Sequence, residues 1–118
     1  YPELKESLAL KDADEYHYLN QSGVTSVENI NDEKDYEELT NAMDVLNMSE
    51  EERSQILRLV SAILHLGNVE FEPNPSAAED DASKIKTEDV LALAASQLEV
   101  DAAALGKALC FKNIGGGA

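Results

Sequence analysis

Residues 49–71 read SEEERSQILRLVSAILHLGNVEF, and this stretch decides the fold. Ser49 followed three positions later by Glu52 is the pattern of a capping box. The serine oxygen accepts from the Glu52 backbone N–H, and the glutamate side chain reaches back to the serine N–H. Glu50, Glu51 and Glu52 put three carboxylates in the first turn, where the positive end of the helix dipole favours them. Apolar residues follow at Ile56, Leu57, Leu59, Val60, Ile63, Leu64 and Leu66, and toward the C-terminal end they cover most of the circumference. A helix apolar on nearly every side is expected to be enclosed. Gly67 is expected to stop it in the left-handed conformation. Val69-Glu70-Phe71 then alternates as a short strand, before Pro73 and Pro75 prevent further regular structure.

Working outward, Asp32 is expected to cap a preceding helix in which Tyr36, Leu39, Met43 and Leu46 recur at spacings of three and four. Asn47-Met48 is a tight link, so these two helices are expected to form an antiparallel hairpin. Further upstream, Leu4 and Leu8 suggest a short helix and Tyr16 to Asn20 another. Residues 21–31 read as a loop closed by Gly23 and anchored by Val24, Val27 and Ile30. Downstream, residues 72–84 hold two prolines and four acidic residues, the composition of a solvated loop. Thr87 is expected to cap a helix with Val90, Leu91, Ala94 and Leu98 on one side. Asp101 caps a last one, with Leu105, Ala108 and Leu109 facing inward. The fold class is all-α, mainly helical, with one short strand and an acidic, proline-containing loop.

Composition narrows the function. The 118 residues fit one domain or one segment of something larger, and 43% hydrophobic content argues for packing rather than disorder. With 24 acidic against 9 basic residues the net charge is −15, which repels nucleic-acid phosphates and anionic lipid headgroups alike. Neither nucleic-acid binding nor direct membrane binding is expected. The single cysteine, Cys110, excludes an internal disulfide and a multi-thiolate zinc site, and between Leu109 and Phe111 it reads as a small buried hydrophobe. No signal stretch opens the chain and no apolar run reaches membrane-spanning length, so a cytoplasmic location is expected. The start at Tyr1 and the stop at Gly115-Gly116-Gly117-Ala118 read as those of a fragment.

Each constellation that could carry chemistry has a plainer reading. Asp12-Ala13-Asp14-Glu15 lacks the glycine and the distal bidentate glutamate of a calcium loop and reads as a solvated helix start. Glu79-Asp80-Asp81 has nothing nearby to complete a cation shell. His17 lies between tyrosines and His65 between leucines, with no nucleophile at triad spacing, so both read as packing or capping residues. Gly115 to Gly117 are not followed by Lys-Ser or Lys-Thr, as a phosphate-binding loop requires. No catalytic, cofactor-binding or metal-ligating residue is assigned.

Three stretches together resemble the myosin motor domain. Residues 16–23, YHYLNQSG, resemble that family's Tyr-x-Tyr-Leu-x-x-Gly segment; residues 36–46, YEELTNAMDVL, resemble its next helix; and residues 61–71, SAILHLGNVEF, are the most specific of the three. A weaker pattern through Leu105, Leu109 and Ile114 extends the resemblance over essentially all of residues 1–118.

The resemblance implies one incomplete segment of the upper fifty-kilodalton subdomain, between nucleotide site and actin-binding cleft. It implies a parent that is an actin-activated ATPase using ATP and Mg, with the actin filament and the rest of the motor domain as partners and a cytoskeletal location. The family's phosphate loop and switches are not in this sequence, so no catalytic residue carries over. Residues 72–86 stand where the family has a surface loop approaching actin, which nominates Lys84, Lys86, Glu72, Glu79, Asp80 and Asp81; only the lysines would attract an acidic filament. Residues 111–118 resemble the truncated start of the cardiomyopathy loop. Ser49, Glu52, Val60, Ile63, Leu64 and Gly67 are nominated as structural residues of a helical strut. The alternative is a free-standing acidic helical module that binds partner proteins; a small hydrolase has no supporting constellation.

Overall fold

The computed structural model describes residues 1–78 and 82–112. Among them the chain is mainly helical: α1 (Pro2–Ser7), α2 (His17–Asn20), α3 (Asp32–Val45), α4 (Glu50–Gly67), α5 (Glu88–Leu98) and α6 (Ala102–Cys110). A 3-10 turn (Ala13–Glu15) precedes α2, and strands β1 (Phe71–Pro73) and β2 (Ser83–Ile85) form an antiparallel pair.

Helix α4 starts as the sequence predicts. The Ser49 oxygen accepts from the Glu52 N–H at 3.2 Å, and the Glu52 carboxylate accepts from the Ser49 N–H at 2.8 Å. Its other end differs. Gly67 is the last helical residue, and Asn68 follows with φ −93°, so there is no left-handed stop. Helix α3 is capped one residue earlier than expected: the Asn31 side chain, not Asp32, accepts from the Lys34 N–H at 3.0 Å.

Left-handed stops close α1, α3 and α5 instead, and these three use no glycine. Ala9, Asn47 and Glu99 have φ of 51°, 55° and 56° after α1, α3 and α5. Each is the C′ residue of a Schellman motif, in which the next N–H bonds five residues back: Leu10 to Lys5, Met48 to Met43, Val100 to Ala95. Asn tolerates this region; Ala and Glu do not, because Cβ crowds the following carbonyl at about 1–2 kcal/mol. Ala9→Gly is therefore expected to stabilise the fold by about 0.5–1 kcal/mol after glycine's greater unfolded freedom is subtracted. Urea denaturation of the two proteins checks it.

Among the described residues the core is small: Leu8, Tyr16, Met43 and Leu91 are buried with the alanines Ala62, Ala94 and Ala95. Helix α4 packs along α5 and against α2, with Ser61, Ala62 and His65 on its buried face and Leu91, Ala94 and Ala95 on that of α5. Alanines on facing helices let the backbones approach closely. Helix α6 packs on α5 and β2 through Gly106, where a Cβ would lie 3.0 Å from Leu91 Cδ2.

Several inward-facing expectations are corrected. Helix α3 does not run antiparallel along α4: the buried face of α4 is shared by α5 and the N-terminal segment around Leu8 and Tyr16, and of α3 only Met43 is buried. Leu39, Leu46, Val24, Val27 and Ile30 are exposed, so residues 21–31 are not anchored on this chain. On α6 the buried residue is Gly106, while Ala108 and Leu109 point outward and Cys110 is half-buried. Glu79, Asp80, Asp81 and residues 113–118 lie outside the described residues.

The expected acidic loop contains a strand. Phe71 faces Ile85, Glu72 faces Lys84 and Pro73 faces Ser83. Bonds from the Lys86 N–H to the Glu70 carbonyl (2.9 Å) and from the Asn74 N–H to the Ala82 carbonyl (2.8 Å) extend the pairing at both ends. Pro73 gives no donor, and the ladder uses its neighbour Asn74 instead.

Candidate functional site

The C-terminal half of α4 gathers the N-terminal third of the chain around it. Ser61 and His65 lie one turn apart on one face and both reach the Leu8 carbonyl: the Ser61 hydroxyl donates to it at 2.6 Å, and His65 Nε2 lies 3.4 Å away. The ring of Tyr16, 1% exposed, meets the His65 imidazole edge-on at 5.7 Å. Its hydroxyl accepts from the Lys11 N–H at 2.9 Å. The Ser61 hydroxyl is committed to the Leu8 carbonyl rather than to the imidazole, and His65 is thus a packed residue.

One turn further, Asn68 clamps the start of α2. Its Oδ1 accepts from the His17 N–H at 2.7 Å and its Nδ2 donates to the Glu15 carbonyl at 2.8 Å. Gly67 is needed here for space rather than for left-handed freedom, since a Cβ on it would lie 2.6 Å from Tyr18 Cδ2 and 2.9 Å from Cγ. Thr87 is the N-cap residue of α5 as expected, but its hydroxyl accepts from the Glu70 N–H at 2.9 Å rather than from the first turn, and so ties the end of α4 to the start of α5. Residues 16–18 and 65–68, far apart in sequence, are one packed junction.

The β-ribbon carries the nominated lysines, and both are partnered: Lys84 with Glu72 and Lys86 with Glu70, each at 3.2 Å. These are exposed pairs, worth little in stability, but they offset the charge the lysines would offer a partner. Of the nominated structural residues, Ser49 and Glu52 form the capping box and Leu64 is half-buried. Val60 and Ile63 are exposed, at 51% and 55%. With Ile56 and Leu59 they make one exposed apolar stripe along α4. Sequence reasoning missed the roles of Tyr16, Ser61 and Asn68. The asparagine directly after the helix glycine was the available signal.

At the capping box the Glu52 carboxyl is held below its ordinary value, first by the hydrogen bond from the Ser49 backbone N–H and then by the Ser49 hydroxyl. A lowered folded-state pKa gives stability that is present above the unfolded value of about 4.5 and is lost as pH falls through the folded one. Stability measured by denaturant titration is therefore expected to fall less steeply below that pH in Glu52→Gln than in the parent. Lys5 and Asp12 shift each other in the same manner through their 2.7 Å hydrogen bond, Asp12 downward and Lys5 upward.

Residues 1–118 match the family profile of the myosin head (motor domain) over their full length. The chain belongs to the myosin head family. It is similar to the Myosin-I heavy chain of Dictyostelium discoideum, 39% identical over 95% of this chain and 5% of that protein. It is also similar to Unconventional myosin-XV of Homo sapiens, at 36% identity over 93% and 3%. Myosin-11 of Arabidopsis thaliana is 46% identical over 80% of the chain and 6% of its own length. The chain therefore spans a small part of the relatives it matches.

In this segment of the myosin head, two of the three motor-like stretches meet at the Tyr16–His65–Asn68 junction. Among the described residues no three His, Cys, Asp or Glu side chains converge as a metal site, and no helix is long and apolar enough to cross a membrane.

Proposed function

We propose that residues 1–118 are one internal segment of an actin-based motor that hydrolyses ATP, and that the segment serves as a helical scaffold between nucleotide site and actin-binding cleft without contributing a catalytic residue. In this reading ATP and its Mg are held by other parts of the motor. The sequence has no glycine-rich loop followed by Lys-Ser or Lys-Thr, and the described acidic and imidazole side chains do not converge. The partners are the actin filament and the remainder of the motor domain. The setting is the cytoplasm and its cytoskeleton.

The observation that carries the scaffold reading is how little of its own surface the chain encloses. Its radius of gyration is 18.1 Å, whereas a self-contained domain of this length has roughly 13 Å. Its accessible surface is 8973 Å², against roughly 6300 Å² for a folded monomer of this mass. The excess includes the apolar stripe of α4. A piece of a larger core presents such a stripe to its neighbours, and an interaction module presents one to its partner; the extended outline is what favours the first. The β-ribbon stands as a spacer toward the filament more than as an attractive contact, because its two lysines are already paired.

Extending the coding sequence outward tests the reading. A Gly-x-x-x-x-Gly-Lys-[Ser/Thr] loop upstream, an Asp-x-x-Gly-Phe-Glu stretch downstream, and ATP turnover stimulated by filaments in the expressed whole are the expected results. In-frame start and stop signals close to Tyr1 and Ala118 would sink it.

A further inference from the structure

The corner between α3 and α4 is built more firmly than a two-residue link requires. Helix α3 ends in the Schellman motif at Asn47 and Met48, and α4 begins at the reciprocal Ser49–Glu52 box, so the backbone is fixed on both sides. Arg53, in the second turn of α4, then reaches back over the corner. Its Nε and one terminal nitrogen both donate to the Met48 carbonyl, at 3.0 and 2.9 Å, and the same terminal nitrogen pairs with the Asp44 carboxylate on α3. The guanidinium is largely covered, and two of its three contacts go to a neutral carbonyl, which salt does not screen. Because α3 does not lie along α4, no side-by-side packing holds their angle.

We infer that Arg53 is the positioning residue of a rigid elbow that makes α3 and α4 move as one body. The elbow rests on the scaffold reading only for its use: a shift imposed on α4 would carry α3 with it at a fixed angle, as a lever does. Geometry alone assigns Arg53 the task, since a planar fork holds carbonyl and carboxylate together where a lysine ammonium offers a single point.

Spin labels at Asn41→Cys and Ser54→Cys, both exposed positions on the two arms, would report the distance distribution across the elbow in a complete motor carrying this segment. A narrow distribution, unchanged by ATP or filaments, is expected for the parent. Arg53→Ala should at least double its width while the far-UV circular dichroism stays that of the parent. Arg53→Lys should give an intermediate width, and it serves as the test if the alanine variant does not fold. Asp44→Asn, which keeps the carbonyl contacts, should change the width least. An unchanged width in the Arg53 variants overturns the elbow, whatever happens to turnover. A doubled width with undiminished filament-stimulated turnover upholds the elbow and removes its use in the scaffold.

Discussion

Tyr16→Ala should cost roughly 3–5 kcal/mol of folding stability, the range for removing a fully buried aromatic side chain. The ring is 1% exposed and stands edge-on to His65, which is equally buried, so nothing nearby can move into the space without breaking another contact. The loss should spread beyond the cavity. Tyr16 also holds the Lys11 N–H through its hydroxyl, and it immediately precedes the His17 N–H that Asn68 accepts. Tyr16→Phe separates the two contributions: it keeps the ring and leaves the Lys11 donor without its partner, at about 1 kcal/mol. Urea unfolding of both variants against the parent gives the two numbers. Equal losses would mean that the hydroxyl, rather than the ring, holds the junction. Against a typical total of about 5–15 kcal/mol, the alanine variant would stand near the edge of folding.

How far the sequence could be read depended on the range of the interactions. The capping box at Ser49 and Glu52 and the cap at Asp101 are local: donor and acceptor lie three residues apart, and both are in place. Helix type and class were legible for the same reason. What the sequence could not disclose was which apolar residues this chain covers by itself. Val24, Val27, Ile30, Leu39, Val60 and Ile63 have the spacing of core residues, yet they are exposed. Periodicity records that a face is apolar; it does not say whose surface covers it. Gly67 was misread for a related reason. A glycine at a helix end most often supplies a positive φ, and only the ring of Tyr18, 49 positions away in sequence, shows that the need was for space. Of the β-ribbon, the first strand was legible but two residues early, at residues 69–71 instead of Phe71–Pro73; its partner at Ser83–Ile85 escaped notice because three residues after a proline-containing acidic stretch carry no period to detect.

Those exposed residues lead to the second large effect, which depends on the surroundings. Val60→Asp or Ile63→Asp puts a carboxylate on a stripe of α4 that this chain leaves open to water. If the segment stood alone, the change would fall within about 0.5 kcal/mol, as for surface substitutions in general. In a complete motor, where the scaffold reading has neighbouring elements cover the stripe, the same carboxylate would be buried without a partner, at about 3–5 kcal/mol. The expected result is a motor that unfolds at lower temperature and loses most of its filament-stimulated turnover. Ser54→Asp, on an exposed position of the same helix, should leave both properties unchanged and controls for added negative charge in a chain already at −15. Thermal unfolding and turnover of the three variants decide the matter. Normal stability and turnover in Val60→Asp and Ile63→Asp would mean that the stripe stays wet in the whole motor, and a strut that nothing covers cannot pass movement from one site to another.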